Sequence, residues 1–110
     1  MAKKLEKNAP DSVCPRFHLA VELIGKRWTG AILRVLLDGP ARFGEIQSRV
    51  PDLSDRLLSE RLKELEEAEI VERTVDDGRP VQVTYTLTKR GTALEPVLEQ
   101  IGKWAETWLR

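Results

Sequence analysis

The sequence predicts a mainly α fold with a small β-hairpin wing (α+β): a winged helix-turn-helix, extended by an added N-terminal helix and a C-terminal dimerisation helix. Three observations predict it. Between Leu53 and Glu66, Leu58, Leu62 and Leu65 recur at i, i+4 and i+7, an apolar stripe on an otherwise polar helix. A short helical stretch from Phe43 to Val50 precedes it across the turn Pro51-Asp52. Behind it, two segments within about 71–87 alternate with period two around Asp76-Asp77-Gly78-Arg79-Pro80, which is hairpin-turn chemistry.

Taken in order, residues 1–13 carry mixed charge without apolar periodicity and are read as a flexible arm, leaving 14–110 as one domain. Cys14-Pro15 opens the first helix, with proline at a favoured first position and Phe17, Val21 and Ile24 as its inner stripe; Gly25 ends it. Trp28 to Asp38 forms the second helix, with Trp28, Ile32, Val35 and Leu36 inward. Gly39-Pro40 stops it, because glycine accepts a positive φ and proline cannot continue the ladder. The third helix, Phe43 to Val50, is followed by a fourth over about 54–68. Ser54 is its expected N-cap, its hydroxyl accepting from an amide two or three residues on. Glu72 to Val75 and Val81 to Leu87 are the strands of the wing. Thr88 caps a last helix over about 89–110, expected to bend at Pro96, with Leu94, Val97, Leu98, Ile101, Trp104, Ala105 and Trp108 as its apolar seam.

With 110 residues there is length for one core, and a composition 41% hydrophobic and 33% charged suits a folded rather than a disordered chain. Apolar runs fall short of the roughly 18 residues of a membrane span, so no membrane partner and a cytoplasmic location are expected. A single cysteine, Cys14, excludes an intrachain disulfide. The formal net charge is zero, which argues superficially against a nucleic-acid partner. Charge is nevertheless segregated. From Lys26 to Lys63 eight basic residues face five acidic ones, and Glu64, Glu66, Glu67, Glu69 and Glu72 follow as an acidic block.

Enzymatic constellations are almost missing. One histidine, one cysteine, no glycine-rich phosphate loop and no metal-ligand spacing leave neither cofactor, metal nor catalytic residue to assign. The acidic run reads as a solvated helix face. The outward face of the fourth helix is different in kind. Ser54 and Ser59 can reach phosphate or base edges, Arg56 can pair with guanine or phosphate, and Lys63, near the helix end, suits the backbone. Asp55 and Glu60 repel phosphate and instead suit cytosine amino groups or orient arginines, whereas Arg61 serves equally as a DNA contact or an intramolecular bridge. Arg79 at the wing tip is the candidate probe of the minor groove or backbone. Arg42, and the Lys26-Arg27 pair ahead of the second helix, are weaker candidates for phosphate contacts. The partner these features suit is double-stranded DNA; the bland reading is an amphipathic helix and a solvated turn.

Two tryptophans in the terminal seam exceed what a chain of this size needs at its end, and aromatic seams of this kind mark subunit interfaces. Phe17, Val21, Val97, Ile101, Trp104 and Trp108 are the expected dimer contacts, a contribution to the protomer's own core being the alternative. Dimerisation would set two recognition helices about 34 Å apart, matching successive major grooves.

Cys14-Pro15, Ile24-Gly25-Lys26-Arg27-Trp28, Ile32-Leu33, Leu36-Leu37, Gly39-Pro40-Ala41-Arg42-Phe43-Gly44-Glu45-Ile46, Leu53-Ser54, Leu58, Arg61-Leu62-Lys63-Glu64-Leu65-Glu66, Val71-Glu72-Arg73, Tyr85-Thr86-Leu87-Thr88, Gly91, Leu94 and Trp104 together resemble the HxlR-type winged-helix transcriptional regulators. The resemblance runs from Cys14 to Trp108 and implies a bacterial or archaeal homodimer on operator DNA, paired through its first and last helices. It also implies, for Cys14, the role of the family's sensing cysteine toward quinones, aldehydes and oxidants, hence a reactive small-molecule effector. Two residues depart from the family pattern: Arg27 in place of lysine, and Glu69 where glycine is usual, a change expected to strain the turn after the fourth helix. The chemistry at Cys14 supports sensing modestly, since a helix start and nearby Arg16 and His18 favour thiolate. With no second cysteine, the routes are alkylation, capping by a small thiol, or a disulfide to another chain. Three functional expectations stand: a DNA-binding repressor with a thiol switch, the same regulator without one, and a winged-helix module that binds protein instead.

Overall fold

A computed structural model describes residues 14–110; the arm expected over residues 1–13 lies outside the described residues. Six helices and three strands follow in the order α1 (Pro15–Ile24), α2 (Thr29–Leu37), β1 (Ala41–Arg42), α3 (Phe43–Arg49), α4 (Asp55–Glu67), β2 (Val71–Asp76), β3 (Gln82–Leu87), α5 (Lys89–Thr92) and α6 (Glu95–Trp108). The core is a wedge between α2, α3 and α4. Ile32, Leu33, Val35 and Leu36 meet Ile46, Val50 and Leu53, and the α4 stripe Leu58, Leu62 and Leu65 closes over them. Ile70 and Val71 seal the lower edge where the chain turns into the wing. Burying such side chains contributes roughly 1.5–3 kcal/mol each, so the leucine stripe fixes how α4 sits and which face it leaves outside.

The strands form one antiparallel sheet in the order β1-β3-β2. Within the hairpin Val71 pairs with Leu87, Arg73 with Tyr85 and Val75 with Val83. The two-residue β1 was not expected from sequence: Ala41 pairs with Tyr85 and Arg42 with Thr84, tying the start of α3 to the wing. A strand this short has no alternation to read.

Three expectations are corrected. The segment 89–110 is two helices, not one bent helix. Thr88 does cap the first, its hydroxyl accepting from the Gly91 amide at 3.1 Å, but Pro96 stands in the first turn of α6 and starts that helix instead of kinking it. Proline lacks only an N–H that would have had no partner there. Phe17 and Val21, expected as the inner stripe of α1, are 63% and 48% exposed, and of that stripe only Ile24 packs against the core. The second helix begins at Thr29 because Trp28 has φ 74°, a left-handed conformation rare for a bulky residue.

Geometry calls for glycine at Gly39 and at Gly91. Gly39, after α2, has φ 140°, which only glycine adopts readily. At Gly91 a Cβ would lie 2.3 Å from the Ile70 carbonyl oxygen, so the α5 turn can rest against the end of the α4 turn only without a side chain.

Candidate nucleic-acid interface

Both ends of α4 are built with care for their unpaired backbone groups. At the start, the Ser54 hydroxyl accepts from the Leu57 amide at 3.2 Å, the cap expected from sequence. At the end, Ile70 N–H donates to Leu65 O at 2.9 Å and Glu69 N–H to Glu66 O at 3.0 Å. This pair is the Schellman arrangement, and it places Glu69 at the left-handed position with φ 61°. The strain expected at this departure from glycine is therefore present. From α5, Arg90 donates to Ala68 O at 3.0 Å, and Thr88 Oγ1 donates to Glu69 O at 2.6 Å. The helix is thus tied at its far end to the segment that leads into α6.

The outward face of α4 carries Ser54, Asp55, Arg56, Ser59, Glu60 and Lys63, all exposed. Asp55 accepts a hydrogen bond from the Gln47 side-chain amide, which locks the helix-turn-helix pair α3–α4 across its turn. Arg56 leans on Glu60 at 3.4 Å yet stays 89% exposed, so water screens that pair and it opens cheaply. Arg79 is exposed at the wing tip, where the Asp76 carboxylate accepts from the Gly78 amide at 3.0 Å and shapes the turn. Arg42 is exposed at the start of α3; its backbone N–H donates to Glu45 Oε1 at 2.7 Å, and its guanidinium lies 4.0 Å from the same carboxylate.

Two of the residues expected at the DNA face are also bonded within the protomer, Arg61 by the intramolecular bridge that was one of its two readings and Lys26 through an exposed ion pair. Arg61 turns inward: only 15% of its side chain is exposed, Nε donates to Arg27 O at 3.0 Å, and Nη1 lies 3.2 Å from Glu64. Lys26 meets the same Glu64 at 3.2 Å. The segment Lys26-Arg27-Trp28 is accordingly a clamp on α4. Arg61 and Glu64, one helical turn apart on one side of α4, grip the strained turn at Trp28, and the Arg27 guanidinium covers the Trp28 ring at 5.4 Å. Sequence gave charge and spacing for these residues but not direction.

One cation was missed as a candidate. Arg73 lies on the sheet face shared with Val71 and Tyr85, the face turned to α4, and it lines a groove of about 350 Å³ with Ser59, Leu62, Lys63, Glu66 and Tyr85. The register of the hairpin was the signal that could have found it, since Arg73 has the parity of buried Val71.

In α6, Val97, Ile101, Trp104 and Trp108 are 43%, 51%, 58% and 69% exposed, while Leu94 and Leu98 of the same seam pack on the core. With Phe17 and Val21 of α1 they are large apolar side chains uncovered in the single chain. Cys14 precedes α1 and is exposed. The amide of Phe17, then that of Arg16, hold its thiol below the ordinary range by stabilising the thiolate, and the Arg16 charge adds to them. Among the described residues no group of histidine, cysteine and carboxylate side chains could hold a metal ion, and no helix is long and apolar enough to cross a membrane.

Comparison with known proteins decides the family. Residues 23–110 match the family model described as HxlR-like helix-turn-helix. The chain belongs to the HxlR-like family. The HTH-type transcriptional regulator YodB of Bacillus subtilis (strain 168) is 51% identical over 96 residues, 87% of this chain and 86% of that protein. Among solved structures of this HxlR-like fold, reduced YodB superposes with a TM-score of 0.82 at 50% identity over 89% of this chain and 96% of that one. Quinone-bound YodB gives 0.77 at 49% identity, covering 86% of this chain and 100% of the other. The redox regulator HypR in its oxidised form gives 0.79 at 35% identity, covering 84% and 95%. These neighbours share the mainly α fold with a wing that the sequence predicts.

Proposed function

We propose that the chain is a homodimeric, sequence-specific DNA-binding repressor, working in the cytoplasm, that releases operator DNA when Cys14 is modified by an electrophile or oxidant. The observation that carries the reading is the outward face of α4: capped at Ser54, exposed, polar throughout, and flanked by a wing on one side and α3 on the other. Ser54, Asp55, Arg56 and Ser59 at the leading half of the helix read base edges, and Lys63, Arg79 and Arg42 hold the backbone around them. Arg61 and Lys26 act indirectly, by fixing the angle at which α4 leaves the core.

Pairing is supported by the uncovered side chains Phe17, Val21, Val97, Ile101, Trp104 and Trp108, which a second copy would cover. Cys14 lies at the start of α1, beside one part of that surface, so an adduct on its thiol changes how two copies meet and hence the spacing of their recognition helices. An exposed thiol whose helix-start amides favour thiolate is the form that attacks electrophiles. The quinone-bound and oxidised neighbours support this class of effector.

A mobility shift with DNA from the upstream region of the chain's own gene tests the reading. Wild-type protein retards it and diamide or benzoquinone releases it. In Cys14→Ser retardation persists and release is lost. Failure to retard that DNA at low salt removes the DNA reading; undiminished release in Cys14→Ser removes the thiol switch alone.

A further inference from the structure

The groove between α4 and the wing holds two cations without carboxylate partners. Between Thr29 and Leu87, Arg34, Arg42, Arg49, Arg56 and Arg61 each stand within 4.0 Å of a carboxylate, and among the described residues Lys63, Arg73 and Arg79 do not. Arg79 is at the wing tip. Lys63 and Arg73 converge on one groove, from a helix and from the facing strand, with the Ser59 hydroxyl and Tyr85 phenol beside them as neutral donors. Glu66 lines the same groove and forms an ion pair with neither cation. Two convergent charges, one a planar fork and one a mobile point charge, flanked by hydroxyl donors, suit a phosphodiester oxygen pair rather than a base edge.

We propose that Lys63 and Arg73 form the seat of one DNA backbone phosphate, lodged between the recognition helix and the first strand of the wing. The proposal rests on the DNA-binding reading above and adds to it a residue, Arg73, that fixes register instead of sequence. Arg73 pairs across the hairpin with Tyr85 of the central strand β3, which also pairs with Ala41 of β1, so the seat is mounted on an edge strand beside the centre of the sheet and away from the wing tip. A phosphate held there sets the depth at which α4 enters the groove.

Fluorescence anisotropy with the full chain tests this, using two duplexes of equal length: the chain's own upstream region and a random sequence. Each is titrated between about 0.05 and 0.3 M salt. Arg73→Ala lowers the salt slope by about 0.9 for each bound protomer, and so by about 1.8 for a dimer. Affinity at roughly 0.15 M salt falls about fivefold per protomer, by the same factor on both duplexes. Lys63→Ala behaves alike, whereas Arg73→Lys keeps the slope because it keeps the charge. Circular dichroism verifies that the variants fold. An unchanged slope in folded Arg73→Ala, beside an impaired Arg56→Ala, overturns the seat and leaves DNA binding intact. Unequal losses on the two duplexes also overturn it, since they mark a base contact. Absence of binding by the wild-type chain to either duplex overturns both readings together.

Discussion

Replacing Glu69 by glycine stabilises the fold. Glu69 closes α4 at φ 61°, a conformation that costs an L-residue roughly 1–2 kcal/mol through the clash of Cβ with its own carbonyl. Glycine has no such clash, and the two backbone bonds of the helix end, Ile70 to Leu65 and Glu69 to Glu66, use no side chain and survive the change. Two terms oppose the gain. Glycine is freer in the unfolded chain, which costs about 0.4–1 kcal/mol. The Glu69–Arg90 pair is also lost, but at 3.8 Å with side chains 77% and 65% exposed it is worth a few tenths of a kcal/mol at most on the usual ~0–1 scale. Removing a negative charge from a helix C-terminus returns some of that. The balance favours glycine by about 0.5–1 kcal/mol, or roughly 3–6 °C in a domain of this size. Thermal unfolding followed by far-ultraviolet circular dichroism, at one fixed protein concentration because the chain is expected to pair, reads it directly. Glu69→Ala is the control: it loses the ion pair, keeps the strained φ, and melts at or slightly below wild type. A Glu69→Gly protein that melts no higher than Glu69→Ala refutes the assignment of strain to this turn.

Three further outcomes are expected. Gly91→Ala destabilises by about 1–3 kcal/mol in urea unfolding, since its Cβ would sit 2.3 Å from a backbone oxygen that cannot swing aside; a wild-type midpoint would show that α5 shifts freely. Arg61→Met costs about 1–3 kcal/mol because Arg27 O and Glu64 lose a largely buried donor, while the salt slope of DNA binding stays that of wild type; a lower slope would return Arg61 to the DNA face. Iodoacetamide alkylation of Cys14, followed against pH, reaches half its limiting rate at a lower pH in the native chain than in urea, because the Phe17 and Arg16 amides stabilise the thiolate only when α1 is formed. Coincident midpoints would remove that effect. The linkage has the same sign: a thiol depressed in the folded state favours folding above its unfolded pKa, and that contribution is lost as pH falls through the folded value.

Much of the fold was legible because it is written in local patterns. The i, i+4, i+7 leucines of α4, the Ser54 cap and the alternating hairpin each specify an element without help from distant residues, and each is found where the pattern placed it. What was illegible depends on partners far along the chain. Lys26 reads as a free cation because nothing local shows that Glu64 receives it across 38 residues of sequence, and Arg61 stays open between DNA and an intramolecular bridge because Arg27 O, which decides it, lies 34 residues away. Arg73 was passed over for the converse reason: its value comes from register, which sets it facing Lys63. Pro96 was misread because one proline both bends a continuing helix and starts a new one, and only the packing of Leu94 and Leu98 decides which.

These directions resolve the conflict between a net charge of zero and a nucleic-acid partner. Charge that is paired inside the fold contributes little field outside, so what matters is which charges of either sign are left without partners and where they lie. Asp38 alone takes up two arginines, Arg49 at 2.8 Å and Arg34 at 3.3 Å, and the hydrogen bond from Arg49, then the Arg34 charge, hold its carboxyl below the usual range. Glu64 takes up Lys26 and Arg61 in the same way. Four of the basic residues between Lys26 and Lys63 are thereby spent on architecture, two at each carboxylate. Those left over on α4 and the wing, Lys63, Arg73 and Arg79, with the weakly held Arg56, fall on the side where the recognition helix is exposed. Carboxylates without an ion pair, among them Asp55, Glu66, Asp76 and Asp77, share α4 and the wing with them, so it is the placement of a few free cations, not a net positive charge, that a neutral chain can offer to a phosphate. If the proposed reading holds, such an arrangement gives weaker non-specific binding than a uniformly basic protein would, and leaves a larger share of the affinity to contacts that α4 makes with bases.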